Sequence, residues 1–233
     1  MTNETAFFGD STAVINATNK INGYDVSFLH QHNGIILMHF QRGDTIDQYI
    51  AVHELPFDLR HYEDSIGVFN VDFEIPVMKL DSLSKGPDFM LMDINFDGEE
   101  DLLIRHQGYN RSYYACFDLT NGNPNSSCPG LLECLHEPPY NNIMAGGFEE
   151  TGDAETIIDY KNETITILEQ SGCCAHTTTI AKKVKIDDFW TKIAVVKNID
   201  RSYSADGCSV TISERDKSSD SLKVVKQYFE PYQ

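Results

Sequence analysis

Nine consecutive residues, Asp93-Ile94-Asn95-Phe96-Asp97-Gly98-Glu99-Glu100-Asp101, hold the densest oxygen chemistry of this chain. Counted from Asp93, oxygen-bearing side chains stand at positions 1, 3, 5 and 9 and a glycine at position 6, which is the spacing of a calcium loop. Ca²⁺ takes six to eight oxygens, and alternate residues of a tightly turning loop can aim Asp93, Asn95 and Asp97 inward together, with Gly98 supplying the sharp turn. Glu99 would offer its backbone carbonyl, and Asp101 would coordinate directly or through water. Five acids with no base among them would repel one another without a cation. Ile104 stands at position 12, where a helix-loop-helix sensor needs a bidentate glutamate. The flanks FMLM and DLLIRH read as strands, so the expectation is a strand-loop-strand site.

Other constellations carry less chemistry. His30 and His32 share one side of an expected strand, with His39 on the next, the arrangement of a surface metal site without acidic or cysteine ligands. His53-Glu54 and His136-Glu137 are sequence neighbours and point apart on a strand, so neither is a ready acid/base pair. No GxSxG nucleophile elbow, GxGxxG turn or GxxxxGK[ST] loop occurs. The expectation is a binding protein and not an enzyme.

The elements that must position the acidic loop read as strands. YDVSFLH and IILMHFQR flank Asn33-Gly34, a strong hairpin signal. IDQYIAVHEL, SIGVFNVDFEI, SYYACFDL, TITILEQ, AHTTTIAKKVKI, SVTISE and SLKVVKQYF show similar β-branched and aromatic alternation, with a further turn at Asp206-Gly207. PGLLECLHEPPYNNIM is the one place for a short helix, ended by Pro138 and Pro139. The fold class is all-β: antiparallel strands and hairpins in a sandwich or small propeller-like arrangement, with at most one short helix. Residues 1–22 read as a peripheral lead-in or strand, and 23–233 as a single domain whose two packed halves, if separable, join near 82–87.

Thirty-six acidic against 18 basic side chains leave a net charge of −18 over 233 residues. Such a surface repels nucleic acid and anionic membranes and steers basic proteins or divalent metals toward it. A chain of this length buries roughly 70% of its unfolded surface, enough for a core without covalent staples. No stretch is long and apolar enough for a membrane span. The first twenty residues lack the basic and apolar regions of an export signal as written. Cys116, Cys128, Cys134, Cys173, Cys174 and Cys208 match no zinc spacing, and in an exported protein most would be expected in disulfides.

The loop DxNxDGxxDL, with Phe96 and Leu102 as apolar pins, resembles the calcium loops of FG-GAP and VCBS-type repeats of extracellular β-proteins. With the strand and turn that follow it, over roughly residues 88–120, it also resembles the bacterial periplasmic inhibitors of invertebrate-type lysozyme and related immunity proteins. In that family a Ser-Gly-x-Tyr turn after the calcium loop plugs the hydrolase cleft. The resemblance places Tyr109, Asn110, Arg111 and Tyr113 at the partner-binding turn; Tyr113 matches the family tyrosine, while Asn110 and Arg111 replace its serine and glycine. It implies an exported protein of the periplasm or cell surface, its leader or lipid anchor removed. The expected partner is a basic protein such as a cell-wall hydrolase. The alternative expectation is a calcium-dependent surface module that binds a glycan or another protein.

Overall fold

The computed structural model describes residues 11–43, 46–52, 54–84, 86–107, 111–119, 133–135, 138–147, 154–170, 174–185, 191–216, 219 and 221–232. Three sheets follow one another along the chain. The first contains β1 (Ser11–Ala17), β2 (Asp25–Gln31), β3 (Ile36–Arg42), β4 (Ile46–Val52) and β5 (Gly67–Val71), in the order β4-β3-β2-β1-β5. The second contains β6 (Phe89–Met92), β7 (Asp101–Gln107), β8 (Arg111–Asp118), β9 (Glu133–Leu135) and β10 (Met144–Gly147), with β9 and β10 both pairing β8. The third runs in sequence order through β11 (Glu155–Asp159), β12 (Thr164–Gln170), β13 (Ala175–Lys185), β14 (Thr191–Ser204), β15 (Gly207–Asp216) and β16 (Ser221–Pro231). The fold is all-β, and among the described strands every pairing is antiparallel except β1 with β5.

The middle sheet is covered on both faces. Phe89, Leu91, Leu102, Ile104 and Phe117 point to one side and pack with Phe28, Met38, Phe40 and Leu59 of the first sheet and its connections. Met90, Met92, Leu103, Tyr114 and Cys116 alternate to the other side, against Ile158, Ile165, Ile167 and Ala181 of the third sheet. A strand buried on both faces has no polar face to alternate with, which is why Phe89–Met92 reads as an unbroken apolar run.

Two features differ from the sequence reading. Within the segment expected to be peripheral, β1 lies between β2 and β5, and Ala13 and Ile15 are fully buried. Among the described residues of the stretch expected to hold a short helix, Glu133–Leu135 is a strand and Tyr140–Asn142 forms a single 3₁₀ turn, while 129–132 and 136–137 lie outside the described residues. A second 3₁₀ segment spans Phe57–Tyr62.

The connection near 82–87 is fastened. Leu83 is fully buried, Arg60 reaches Asp88 at 2.8 Å, Arg105 donates to the Gly86 carbonyl at 3.3 Å, and the Tyr114 hydroxyl donates to the Pro87 carbonyl at 2.9 Å.

The β14–β15 turn depends on Gly207. Its φ of +155° accompanies close backbone packing, because a Cβ there would meet the Glu230 carbonyl oxygen and the Pro231 Cα of β16. Gly207→Ala is expected to destabilise the protein by about 3 kcal/mol, lowering Tm by roughly 8 °C. An unchanged melting temperature would contradict this packing.

Candidate functional site

The loop between β6 and β7 is set where the second and third sheets meet. Ile94 and Phe96 turn inward and are buried, and the Phe96 ring stands edge-on to Tyr160 of the β11–β12 turn at 5.9 Å. The Lys183 ammonium of β13 donates to the Phe96 carbonyl at 2.5 Å and reaches Glu163 at 3.4 Å. An aromatic pin and a lysine tether therefore hold the loop from the third sheet.

Apolar pins at alternate positions leave the intervening polar side chains to close the loop on itself. Asp93 accepts the backbone N–H groups of Asp97 at 3.1 Å and Gly98 at 3.0 Å. The Asn95 side-chain oxygen Oδ1 accepts the Asp97 N–H at 2.9 Å, and the Asp97 carboxylate accepts the Glu99 N–H at 2.9 Å. Gly98 has a φ of +95°, a conformation that suits glycine at the sharpest point of the turn. Phe96 also has a positive φ, +59°, a conformation uncommon for a bulky residue, and its buried ring holds it there.

Asp101 opens β7 opposite Met92 and is 1% exposed. One oxygen accepts the Ile94 N–H at 3.1 Å. The other lies 3.4 Å from the Asn95 side-chain nitrogen, which also contacts Asp97 at 3.0 Å. The carboxylates of Asp97 and Asp101 thus converge on the partly positive amide of Asn95. Burial drives the Asp101 carboxyl up to about 8, and Asp118, Asp97 and Asp93 push it the same way against the Ile94 hydrogen bond. Asp93 is also raised, chiefly by burial. Burial lifts Tyr160 to about 12, with Asp93 and Asp81 adding, and its hydroxyl is buried without a hydrogen-bond partner. Tyr140 is held above its ordinary value by burial and then by Asp101.

The loop thus gathers Asp93, Asn95, Asp97 and Asp101, while Glu99 is exposed at its rim. Among the described residues no three His, Cys, Asp or Glu side chains meet as a metal-ligand group. The loop's own set includes an asparagine, and its oxygens are the hard donors that suit calcium or magnesium over zinc. Sequence reasoning missed Lys183, Tyr140, Tyr160 and Asp118, because each reaches the loop from a distant element.

The candidate partner-binding turn lies at the far end of the same strand. β7 rises about 3.3 Å per residue, so its end at the acidic loop and its end at Gln107 are ~20 Å apart. Tyr113 is 42% exposed and stacks on His106 with ring centroids 5.9 Å apart. Arg111 begins β8 opposite Gly147, while Tyr109 and Asn110 lie outside the described residues.

The three histidines do not come together. Register sets His30 opposite Ile36 and His39 opposite Ser27, so the two side chains leave opposite faces of the first sheet. His39 instead contacts Asp47 at 2.6 Å and stacks on Tyr49. Of the cysteines, Cys116 and Cys208 are buried and Cys174 is exposed, while Cys128 and Cys173 lie outside the described residues.

Among the described residues no helix is long and apolar enough to cross a membrane. No family model and no curated protein matches the chain. Among solved structures it is similar to that of a Xanthomonas type IV secretion system related protein, at 12% identity and a TM-score of 0.45, over 91% of this chain and 93% of that one.

Proposed function

We propose that the Asp93–Asp101 loop binds calcium as a structural ion, and that the protein is an exported, non-catalytic inhibitor of a lysozyme-like or other cell-wall hydrolase. The observation that carries the metal reading is Asp101: a buried carboxyl group whose leading charged neighbours are carboxylates. A divalent cation neutralises them together, and Asp93, Asn95, Asp97 and Asp101 would hold it. The pinning of the loop by Phe96 and Lys183 favours a structural role, since a loop held from two sheets has little room to switch.

The separation of loop and turn supports the same division of labour. Tyr113 lies opposite His106, five residues along β7 from Asp101, so an ion ~17 Å away stabilises the hairpin without touching a partner bound at Tyr113. Charge supports a basic partner: residues 1–153 carry 24 Asp and Glu against 7 Lys and Arg. Peptidoglycan hydrolases work with paired carboxylates in a cleft, where Arg111 or the Tyr113 hydroxyl could engage them.

The test is inhibition of a panel of lysozymes and peptidoglycan hydrolases by the calcium-loaded protein. At least one enzyme is expected to lose activity, with Tyr113→Ala weakening inhibition about tenfold or more while lowering Tm by only a few degrees through loss of the His106 stack. Full hydrolase activity at high molar excess of the protein would overturn the inhibitor reading.

A further inference from the structure

The third sheet ends on β16, which pairs with β15 along one edge and with no other described strand along its other edge. Leu222 is 36% exposed, Val224 57%, Val225 56% and Phe229 49%, so this is a long, apolar edge of the kind that pairs with another chain. Two features limit its length. The register slips between Ile212 and Ser213, which makes Val225 a bulge, and Pro231 has no N–H to offer. Lys226 to Glu230 remain as a regular five-residue edge.

The direction of the free backbone groups is fixed. The Tyr232 N–H donates to the Asp206 carbonyl at 3.3 Å, so Tyr232, Glu230 and Tyr228 turn their backbone groups toward β15. Gln227 and Phe229 then present theirs outward.

We propose that β16 pairs antiparallel with β16 of a second copy of this chain about a two-fold axis at Tyr228. In this register Gln227 of each copy lies opposite Phe229 of the other, and the two exchange backbone hydrogen bonds. Lys226 of each copy lies opposite Glu230 of the other, giving two symmetric ion pairs. A slip of one residue sets outward-facing residues against inward-facing ones. A slip of two keeps the hydrogen bonds but separates Lys226 from Glu230 in both directions. The charge distribution admits the approach: residues 154–233 carry 11 Lys and Arg against 12 Asp and Glu, so the net acidity of the protein lies in residues 1–153. Repulsion between those parts is screened beyond about 10 Å at 0.1 M salt.

The test is sedimentation equilibrium of the full chain over a range of concentrations, with Lys226→Glu, Glu230→Lys and the double exchange. Wild type is expected to dimerise reversibly. Each single substitution sets like charges opposite one another twice and is expected to weaken the dimer about tenfold or more. The double exchange restores dimerisation, and an equimolar mixture of the two single variants forms a mixed dimer. A wild type that stays monomeric throughout its soluble range overturns the proposal. So does a dimer whose strength neither single substitution changes, or one that the double exchange does not restore.

Discussion

Asp101→Asn is expected to change stability in opposite directions with and without calcium. In excess EDTA the variant is more stable than wild type at pH 8, and in excess calcium it is less stable. Both signs follow from burial of the Asp101 carboxyl group among other carboxylates. Its native value of about 8 lies above the ordinary aspartate value of 3.8, so between these the folded protein holds a proton that the unfolded chain has released. The stability that this group contributes to the metal-free protein is then present in full below about pH 4 and is lost as pH rises toward 8, a loss on the order of 5 kcal/mol. Asparagine keeps the acceptor for the Ile94 N–H and carries no charge, which removes this pH dependence. With calcium bound, the ionised carboxylate is what holds the ion, and wild type gains what the variant cannot. Thermal melts at pH 5 and pH 8, with EDTA and with calcium, read all of this. A variant less stable than wild type in EDTA at pH 8 would show that Asp101 is not a repelled charge.

Phe96→Ala is expected to cost about 4 kcal/mol and to weaken calcium binding as well. The ring is buried between the second and third sheets, its edge-on contact with Tyr160 is lost on truncation, and the Lys183 tether on its own carbonyl is left without the apolar pin beside it. Loss of the ring lets the loop sample conformations in which Asp93, Asn95 and Asp97 no longer face the same side, so the ion meets an unorganised site. Phe96→Leu, which keeps most of the buried surface, is expected to recover more than half of the lost stability. If Phe96→Ala melted like wild type, the loop would not be pinned to the third sheet as described.

Local chemistry made several parts of this structure legible. Asn33-Gly34 and Asp206-Gly207 do sit at hairpin turns, because only a few residue types fit such backbones. The loop between β6 and β7 was legible from alternation alone, with oxygen donors at 93, 95 and 97 and apolar residues at 94 and 96. Long-range pairing left no comparable mark. β1 has a weak polar pattern and becomes a central strand only because β2 and β5 both find it, the latter in parallel across some fifty residues of chain. Glu133–Leu135 carries helix-forming residues, yet pairing with Phe117 and its neighbours on β8 makes it a strand. Lys183 and Tyr160 reach the acidic loop from β13 and the β11–β12 turn, and no spacing in a linear sequence announces such a meeting. The faces of His30 and His39 turned on register, which fixes side-chain direction and which sequence alone left open.

The most direct test of the calcium site is thermal unfolding of wild type stripped with EDTA, followed by calcium added back. At a calcium concentration about a thousand times the dissociation constant, binding contributes ~4 kcal/mol, so Tm is expected to rise by about 10 °C and to return to its starting value when the ion is chelated again. A melting temperature indifferent to both EDTA and calcium would contradict the account and leave Asp93–Asp101 as an acidic turn that folds without an ion.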